Sequence, residues 1–150
     1  MSKGWHVAPS INQDNHSGDW VTSNDCRTAV LAKELTREGI FEAVKSLCVY
    51  ATHDKNLRVK FNINGNIMGS IIQSSPKLDI SIESEDPNDN DIITKVEIIG
   101  NGKIIVASAG FNTRKVTWNT SIKPSCNYYY AKITQKDGNI AITSPIWVED

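Results

Sequence analysis

The sequence predicts a mainly β protein: an antiparallel, immunoglobulin-like β-sandwich preceded by a short α-helix and an irregular N-terminal segment. Two observations predict this fold class. From residue 57 onward, hydrophobic residues alternate with polar ones at period two in separate runs, and turns rich in Asn and Gly separate those runs. Roughly seven short strands with no helix between them are typical of a sandwich.

The alternation also predicts which side chains face the core. Seven residues of the first two runs are expected to point inward: Leu57, Val59, Phe61, Ile63, Leu78, Ile80 and Ile82. Further strands are expected at 96–99, 103–107, 116–118, 128–134, 139–143 and 146–148. Tight turns are expected at 64–66, 100–102 and 136–138, because Asn and Gly tolerate positive φ.

The part of the chain before these strands has a different character. Thr36 is a plausible N-cap for a helix over 37–47, whose apolar face comprises Ile40, Phe41, Val44 and Leu47. Residues 1–28 are polar, lack a period and contain two tryptophans. We expect residues 1–25 to be poorly packed in the isolated chain, because chain that buries little apolar area does not offset its conformational entropy.

Composition excludes several classes of partner. The 150 residues carry a net charge of −1 with no basic cluster, so neither nucleic acid nor an anionic membrane surface is an expected partner. No signal peptide or transmembrane segment is expected, which leaves the localisation open. Cys26, Cys48 and Cys126 match no zinc or redox spacing, and three reduced thiols are expected.

Asp14 and His16 form an Asp-x-His pattern, the first candidate for a metal site. Alternate residues of an extended chain point the same way, so the two side chains could share one divalent cation. The pattern is common by chance, and a metal needs three or four ligands. Solvated loop residues are the alternative interpretation.

The acidic loop 85–91 is the second candidate. Asp86, Asn88, Asn90 and Glu97 fall at positions one, three, five and twelve of a calcium hand, but Asp91 replaces the required glycine. We therefore expect a solvated loop and no change of melting temperature on addition of calcium.

Aromatic residues of the late strands are the third candidate. A surface for stacking a ligand is one interpretation, and packing in the core or across strands is the favoured one. The residues concerned are Tyr128, Tyr129, Tyr130, Trp118 and Trp147. No nucleophile–base pair or phosphate-binding loop is visible, so no catalytic residue is predicted in this chain.

An ordered series of short stretches resembles a known family. The series is Gly4–Pro9, Asp14–His16, Arg27–Ala32, Leu35–Ala43, Val49–Thr52, Phe61–Gly65, Met68–Ser70 and Thr143–Val148. Together these stretches resemble the C-terminal part of PHP-type (polymerase and histidinol phosphatase) metallohydrolases, in the CehA/McbA-like branch. The resemblance spans nearly the whole chain.

The resemblance implies that the parent protein has a catalytic barrel followed by a β-sandwich. In that family a distorted β/α barrel holds two or three divalent metals, its last metal motif is an Asp-x-His, and a β-sandwich commonly follows. Asp14 and His16 match that motif, while the earlier histidine-rich motifs would lie upstream of Met1. The arginine that commonly precedes the tyrosine-alanine-threonine stretch is replaced here by Leu47-Cys48.

The expected organisation is a remnant of the PHP catalytic domain over 1–35, a helix and connection over 36–56, and a β-sandwich over 57–150. The expected function is that of an accessory part of a metal-dependent phosphoesterase or related hydrolase, inactive alone. Asp14 and His16 would bind zinc, manganese or iron only in the parent, whose missing catalytic domain is the expected partner; the fragment itself is expected to hold no cofactor. The alternative is an independent β-sandwich module that binds carbohydrate or protein.

Overall fold

A computed structural model describes residues 4–149 of the chain. It contains one helix, α1 (Arg37–Lys45), and short strands throughout the rest. The strands are β1 (Arg27–Val30), β2 (Val49–Thr52), β3 (Arg58–Ile63), β4 (Asn66–Ile67), β5 (Ile71–Gln73), β6 (Leu78–Glu85), β7 (Ile93–Gly100), β8 (Ile104–Thr113), β9 (Lys115–Ile122), β10 (Tyr128–Gln135), β11 (Ile140–Thr143) and β12 (Ile146–Glu149).

The strands form two sheets. The larger, eight-stranded sheet runs β1-β2-β11-β10-β12-β5, with β7 on the other edge of β10 and β8 beyond β7. The smaller sheet runs β4-β3-β6-β9. Strand pairs in both sheets are antiparallel, apart from β12 with β5, which pair in parallel with Trp147 opposite Ile71.

One hydrophobic core lies between the sheets. All seven residues predicted to face inward are at most 2% exposed, and they pack in one cluster with Ile98, Tyr129 and Ile133 of the other sheet. Alternating residues of each strand therefore point into the space between two sheets, as the period of two requires. The predicted β-sandwich is confirmed.

The predicted turns are found where the sequence places them. Asn64 and Gly65 connect β3 to β4 with φ of 50° and 77°, and Ile63 lies directly opposite Asn66. Two consecutive positive φ angles are the requirement of a tight hairpin, which explains the Asn-Gly pair. Asn101 and Gly102 adopt the same region between β7 and β8.

The helix is shorter than predicted, and its apolar face is directed to solvent. Thr36 is the N-cap, as predicted, and its hydroxyl accepts a hydrogen bond from the Gly39 N–H. The helix ends at Lys45 because Leu47 takes a φ of 56°, and the Leu47 and Cys48 N–H groups bond back to Val44 and Ala43 carbonyls, a Schellman ending.

The apolar face of that helix is exposed to solvent. Ile40, Phe41 and Val44 are 39%, 63% and 49% exposed, and Ala43 is the buried residue of α1. The periodic pattern correctly predicts an apolar stripe, but nothing among residues 4–149 covers it.

The N-terminal segment lies outside the core. None of residues 4–25 is buried, and Trp5 and Trp20 are 71% and 72% exposed. β1 then pairs with β2, which pairs with β11, so the larger sheet runs across the predicted boundaries at 35/36 and 56/57. Those domain assignments stay predictions. No helix in the described part of the chain is long and apolar enough to span a membrane.

Candidate functional site

Asp14 and His16 lie on an exposed turn of the N-terminal segment. The prediction that they share a face of extended chain is wrong, because Asp14 has a φ of 46°. The Asn12 side chain accepts a hydrogen bond from the Asp14 N–H at 2.8 Å and closes this turn. The His16 Nδ1 lies 2.8 Å from the Asp14 carbonyl oxygen. This contact orients the ring, and among residues 4–149 no hydrogen bond engages Nε2, which could bind a metal.

The same turn borders an open concavity of about 450 Å³, lined also by Trp20 and Arg27. The Arg27 guanidinium donates hydrogen bonds to the carbonyl oxygens of Val21, Asn24 and Cys26, so it holds the shape of the segment. No third His, Cys, Asp or Glu in residues 4–149 joins Asp14 and His16 in a group that could enclose an ion. Two ligands on exposed chain bind a metal weakly, because the chain must be ordered as the metal arrives.

The loop 85–91 does not form a calcium hand. Glu97, the would-be twelfth ligand, lies within β7, where its buried carboxylate is 2.6 Å from the Lys95 ammonium and 3.9 Å from that of Lys132. Asn88 and Asn90 are exposed, as predicted. The prediction of a solvated loop is wrong at Asp86, which is 1% exposed.

Asp86 is part of a buried polar cluster at one end of the sandwich. It directly follows β6 of the smaller sheet, whereas Asp54 follows β2 and Gln135 ends β10 of the larger sheet. The Gln135 Nε2 donates hydrogen bonds to Asp54 at 3.2 Å and to Asp86 at 3.0 Å. All three residues are at most 5% exposed. The cluster therefore joins both sheets through polar contacts.

Each buried carboxylate is held by its own turn. Asp54 Oδ1 accepts the Asn56 N–H at 2.8 Å, and Asp86 Oδ1 accepts the Asn88 N–H at 2.9 Å. The Tyr50 hydroxyl donates to the Leu57 carbonyl at 2.6 Å and closes the connection that contains Asp54. These local bonds direct both second oxygens to Gln135.

The two carboxyls titrate differently. Burial and the neighbouring Asp54 raise the pKa of Asp86 to about 6, although the Asn88 N–H lowers it. Burial also acts to raise the pKa of Asp54, but hydrogen bonds from Asn56, Asp86 and Gln135 outweigh it and hold that pKa below its ordinary value. Of the two, Asp86 is therefore the carboxyl that takes up a proton first as pH falls.

A third carboxylate and an unsatisfied amide oxygen complete the cluster. Half-buried Asp91 brings a carboxylate oxygen within 4.8 Å of oxygens of both Asp54 and Asp86. The Oε1 of Gln135 is buried and has no hydrogen-bond partner. None of the three carboxylates forms an ion pair with a described Lys, Arg or His. Unpaired buried charge is costly, which marks this cluster as chemically unusual.

Sequence reasoning missed Asp54 and Gln135. One weak signal was available: Asp54-Lys55-Asn56 and Asp86-Pro87-Asn88 share the Asp-x-Asn pattern, in which the carboxylate accepts the N–H of the residue two positions on.

The aromatic residues of β10 and β12 are packed, as favoured from sequence. Tyr128, Tyr129 and Trp147 are at most 6% exposed. The Tyr129 hydroxyl accepts hydrogen bonds from the N–H groups of Ser125 and Cys126 at 2.7 and 2.8 Å. The His6 ring packs against the Trp147 ring with 4.5 Å between centroids, and Tyr130 and Trp118 are half-buried. The three cysteines are free thiols.

Comparison with known proteins gives relatives without a described activity. No family model matches the sequence. An uncharacterised protein of Chlamydia pneumoniae is 27% identical over 138 residues, which cover 81% of this chain and 22% of that protein. Uncharacterised proteins of Chlamydia trachomatis and Chlamydia muridarum are each 25% identical over the same shares. The chain thus spans about a fifth of the length of the curated relatives it matches.

Among solved structures, the crystal structure of an engineered protein aligns with a TM-score of 0.37 and 15% identity, over 62% of this chain and 20% of that one. A likeness this weak carries no argument about fold or function.

Proposed function

We propose that this chain is an accessory β-sandwich region of a longer, metal-dependent hydrolase of phosphate or related esters. In this proposal Asp14 and His16 are ligands of the parent's metal centre, and the chain alone is catalytically incomplete. The observation that carries the proposal is the His16 ring, whose Nδ1 contacts the Asp14 carbonyl, on a segment in which none of residues 4–25 is buried.

The donor set fits a transition metal. Imidazole nitrogen with carboxylate oxygen suits zinc, manganese or iron. A metal-bound histidine commonly donates its other ring N–H to a carbonyl or carboxylate, the arrangement that Nδ1 makes with the Asp14 carbonyl. When bound, such a metal would activate water and stabilise negative charge on the ester oxygens. The remaining ligands would come from the catalytic domain.

Uncovered apolar surface supports a missing domain of the same parent chain as the partner. Trp5, Trp20, Phe41 and Val44 are between 49% and 72% exposed. Large apolar side chains that remain exposed in this way commonly mark an interaction surface. The curated relatives are several times longer than this chain, which leaves room for such a domain.

The experiment compares the parent protein with variants of the two proposed ligands. Asp14→Ala and His16→Ala should each lower the amount of bound metal, measured by elemental mass spectrometry. Each should also lower the rate of hydrolysis of an aryl phosphate ester. Asp25→Ala is the matched control, because Asp25 is an exposed carboxylate of the same segment whose ion pair with Lys55 is exposed and weak. It should leave both readouts unchanged.

The isolated 150-residue chain provides the second arm. It should show no esterase activity and no stoichiometric transition metal after purification. Activity of the isolated chain would contradict the proposal that it is incomplete. A parent indifferent to both ligand substitutions would contradict the metal assignment.

The alternative, an independent module that binds carbohydrate or protein, stays a prediction. Of the five aromatic residues considered for ligand stacking, Tyr128, Tyr129 and Trp147 are buried, whereas Tyr130 and Trp118 are half-buried.

A further inference from the structure

We propose that Asp54, Asp86, Asp91 and the amide oxygen of Gln135 form a structural calcium site that joins the two sheets of the sandwich. This site is separate from Asp14 and His16, and it would act on the stability of the fold rather than on ester hydrolysis. It goes beyond the proposed function and does not depend on it.

The first step of the argument is charge. Asp54 and Asp86 are 5% and 1% exposed, and neither they nor Asp91 form an ion pair with a described cationic side chain. Three carboxylates in one place repel one another, and burial strengthens the repulsion. A divalent cation is the kind of ligand that removes this repulsion.

The second step is the unsatisfied oxygen of Gln135. This residue is 2% exposed, its amide reaches both buried carboxylates, and its Oε1 has no partner. A buried amide oxygen without a donor loses hydration without compensation. In the structure Nε2 faces the two carboxylates at 3.0 and 3.2 Å. A rotation of the amide would exchange its two ends and bring Oε1 to about the same place. Neighbouring oxygens around one calcium ion are about that far apart, since each lies ~2.4 Å from the metal.

The third step is the choice of ion. The donors are all oxygens, which hard cations prefer. One carboxylate oxygen from each of the three aspartates lies within 4.8 Å of the other two. All three can therefore contact one calcium ion, since two ligands on opposite sides of that ion are about 4.8 Å apart. Magnesium holds six octahedral ligands at ~2.1 Å and gives up its waters reluctantly, so a buried site made mostly of protein oxygens favours calcium.

This inference replaces the expectation that calcium leaves the melting temperature unchanged. That expectation rested on the calcium-hand pattern of the loop 85–91, whereas this ligand set draws Asp54 and Gln135 from other parts of the chain. Because the ligands come from both sheets, bound calcium should stabilise the whole fold by mass action.

The test is thermal unfolding of the 150-residue chain at constant ionic strength, in EDTA and in 2 mM calcium chloride. The wild-type melting temperature should rise by about 5 °C in calcium. Calorimetric titration should give one calcium ion per chain. Asp86→Asn keeps the shape of the side chain but removes its charge, so in EDTA it should melt at or above the wild type, and in calcium below it. Asp89→Asn is the matched control, because Asp89 lies in the same loop but its side chain is 90% exposed; it should respond to calcium as the wild type does.

Several results would overturn the inference. They are a wild-type chain with no calcium-dependent heat and a shift below about 1 °C, an Asp86→Asn variant that keeps the full shift, or a magnesium response equal to that of calcium. A stability that depends on pH but not on calcium would show that a proton, rather than a metal, relieves the repulsion. If Asp86→Asn does not fold, Asp54→Asn replaces it, and the wild-type titration still decides whether calcium binds.

Discussion

Asp54 and Asp86 come from opposite sheets, and their carboxylates accept hydrogen bonds from one amide nitrogen, that of Gln135. One donor cannot neutralise two charges, so the pair must bind something more positive or take up a proton. The environment of the two groups differs, since it raises the pKa of Asp86 to about 6 and lowers that of Asp54.

This difference predicts a pH dependence in calcium-free buffer. The folded-state pKa of Asp86 lies above its ordinary value of 3.8, so the folded state binds the proton more tightly than the unfolded state. The contribution of Asp86 protonation to the stability of the fold is complete below pH ~4 and is lost as pH rises through about 6. The free energy of unfolding, measured by urea denaturation in EDTA, should therefore fall between pH 4.5 and 7.5, by up to ~3 kcal/mol.

Asp54 works in the opposite direction, because a lowered pKa gives stability that is lost only as pH falls below its ordinary range. Asp86 should therefore dominate between pH 5 and 7. The Asp86→Asn variant is the control and should lose this part of the pH dependence. Identical curves for variant and wild type would refute the assignment to Asp86.

The Tyr129 hydroxyl is predicted to stabilise the turn before β10. It accepts two backbone hydrogen bonds, from Ser125 and Cys126, beneath a ring that is fully buried. Tyr129→Phe keeps the ring but leaves both N–H groups without an acceptor, which should cost about 1–3 kcal/mol in the free energy of unfolding.

The matched control is Tyr130→Phe, since Tyr130 is half-buried and makes no side-chain hydrogen bond among the described residues. It should change stability by no more than ~0.5 kcal/mol. Equal effects of the two substitutions in urea denaturation would show that the Tyr129 hydroxyl is unimportant.

Amide hydrogen exchange should show two parts of the chain with different protection. Amides of residues 5–25 are expected to exchange quickly, because no residue of 4–25 is buried, whereas amides of β3, β6 and β10 should be strongly protected. The hydrogen bonds between Ile11 and the Thr28 hydroxyl are a weak local tie. Protection throughout 5–25 equal to that of β3 would contradict the idea that this segment lacks its packing partner.

Whether a strand could be predicted from the sequence depends on its length and on how many of its faces are buried. Val59, Phe61 and Ile63 alternate with polar residues because one face of β3 meets the core and the other meets solvent. β2 gives no such signal, since three of its four residues are buried and both faces are covered. β4 and β5 are two and three residues long, too short for any period to be seen.

The buried cluster was beyond sequence reasoning for a different reason. Gln135 lies 81 residues from Asp54 and 49 from Asp86, and no local pattern reports contacts over such separations. Asp14 and His16 could be chosen as candidate ligands from the sequence. The relative direction of their side chains could not, because it depends on a turn at Asp14 that the Asp-x-His pattern does not specify.

The pairing of β2 with β11 has a consequence for how the molecule folds. Tyr50 lies opposite Thr143, so the larger sheet closes only when parts of the chain roughly 90 residues apart meet. The entropy of closing such a loop is lost before the contacts compensate for it, and folding on a timescale of milliseconds to seconds follows. Until β2 arrives, the edge of β11 that faces it is unpaired, so refolding yield should depend on protein concentration.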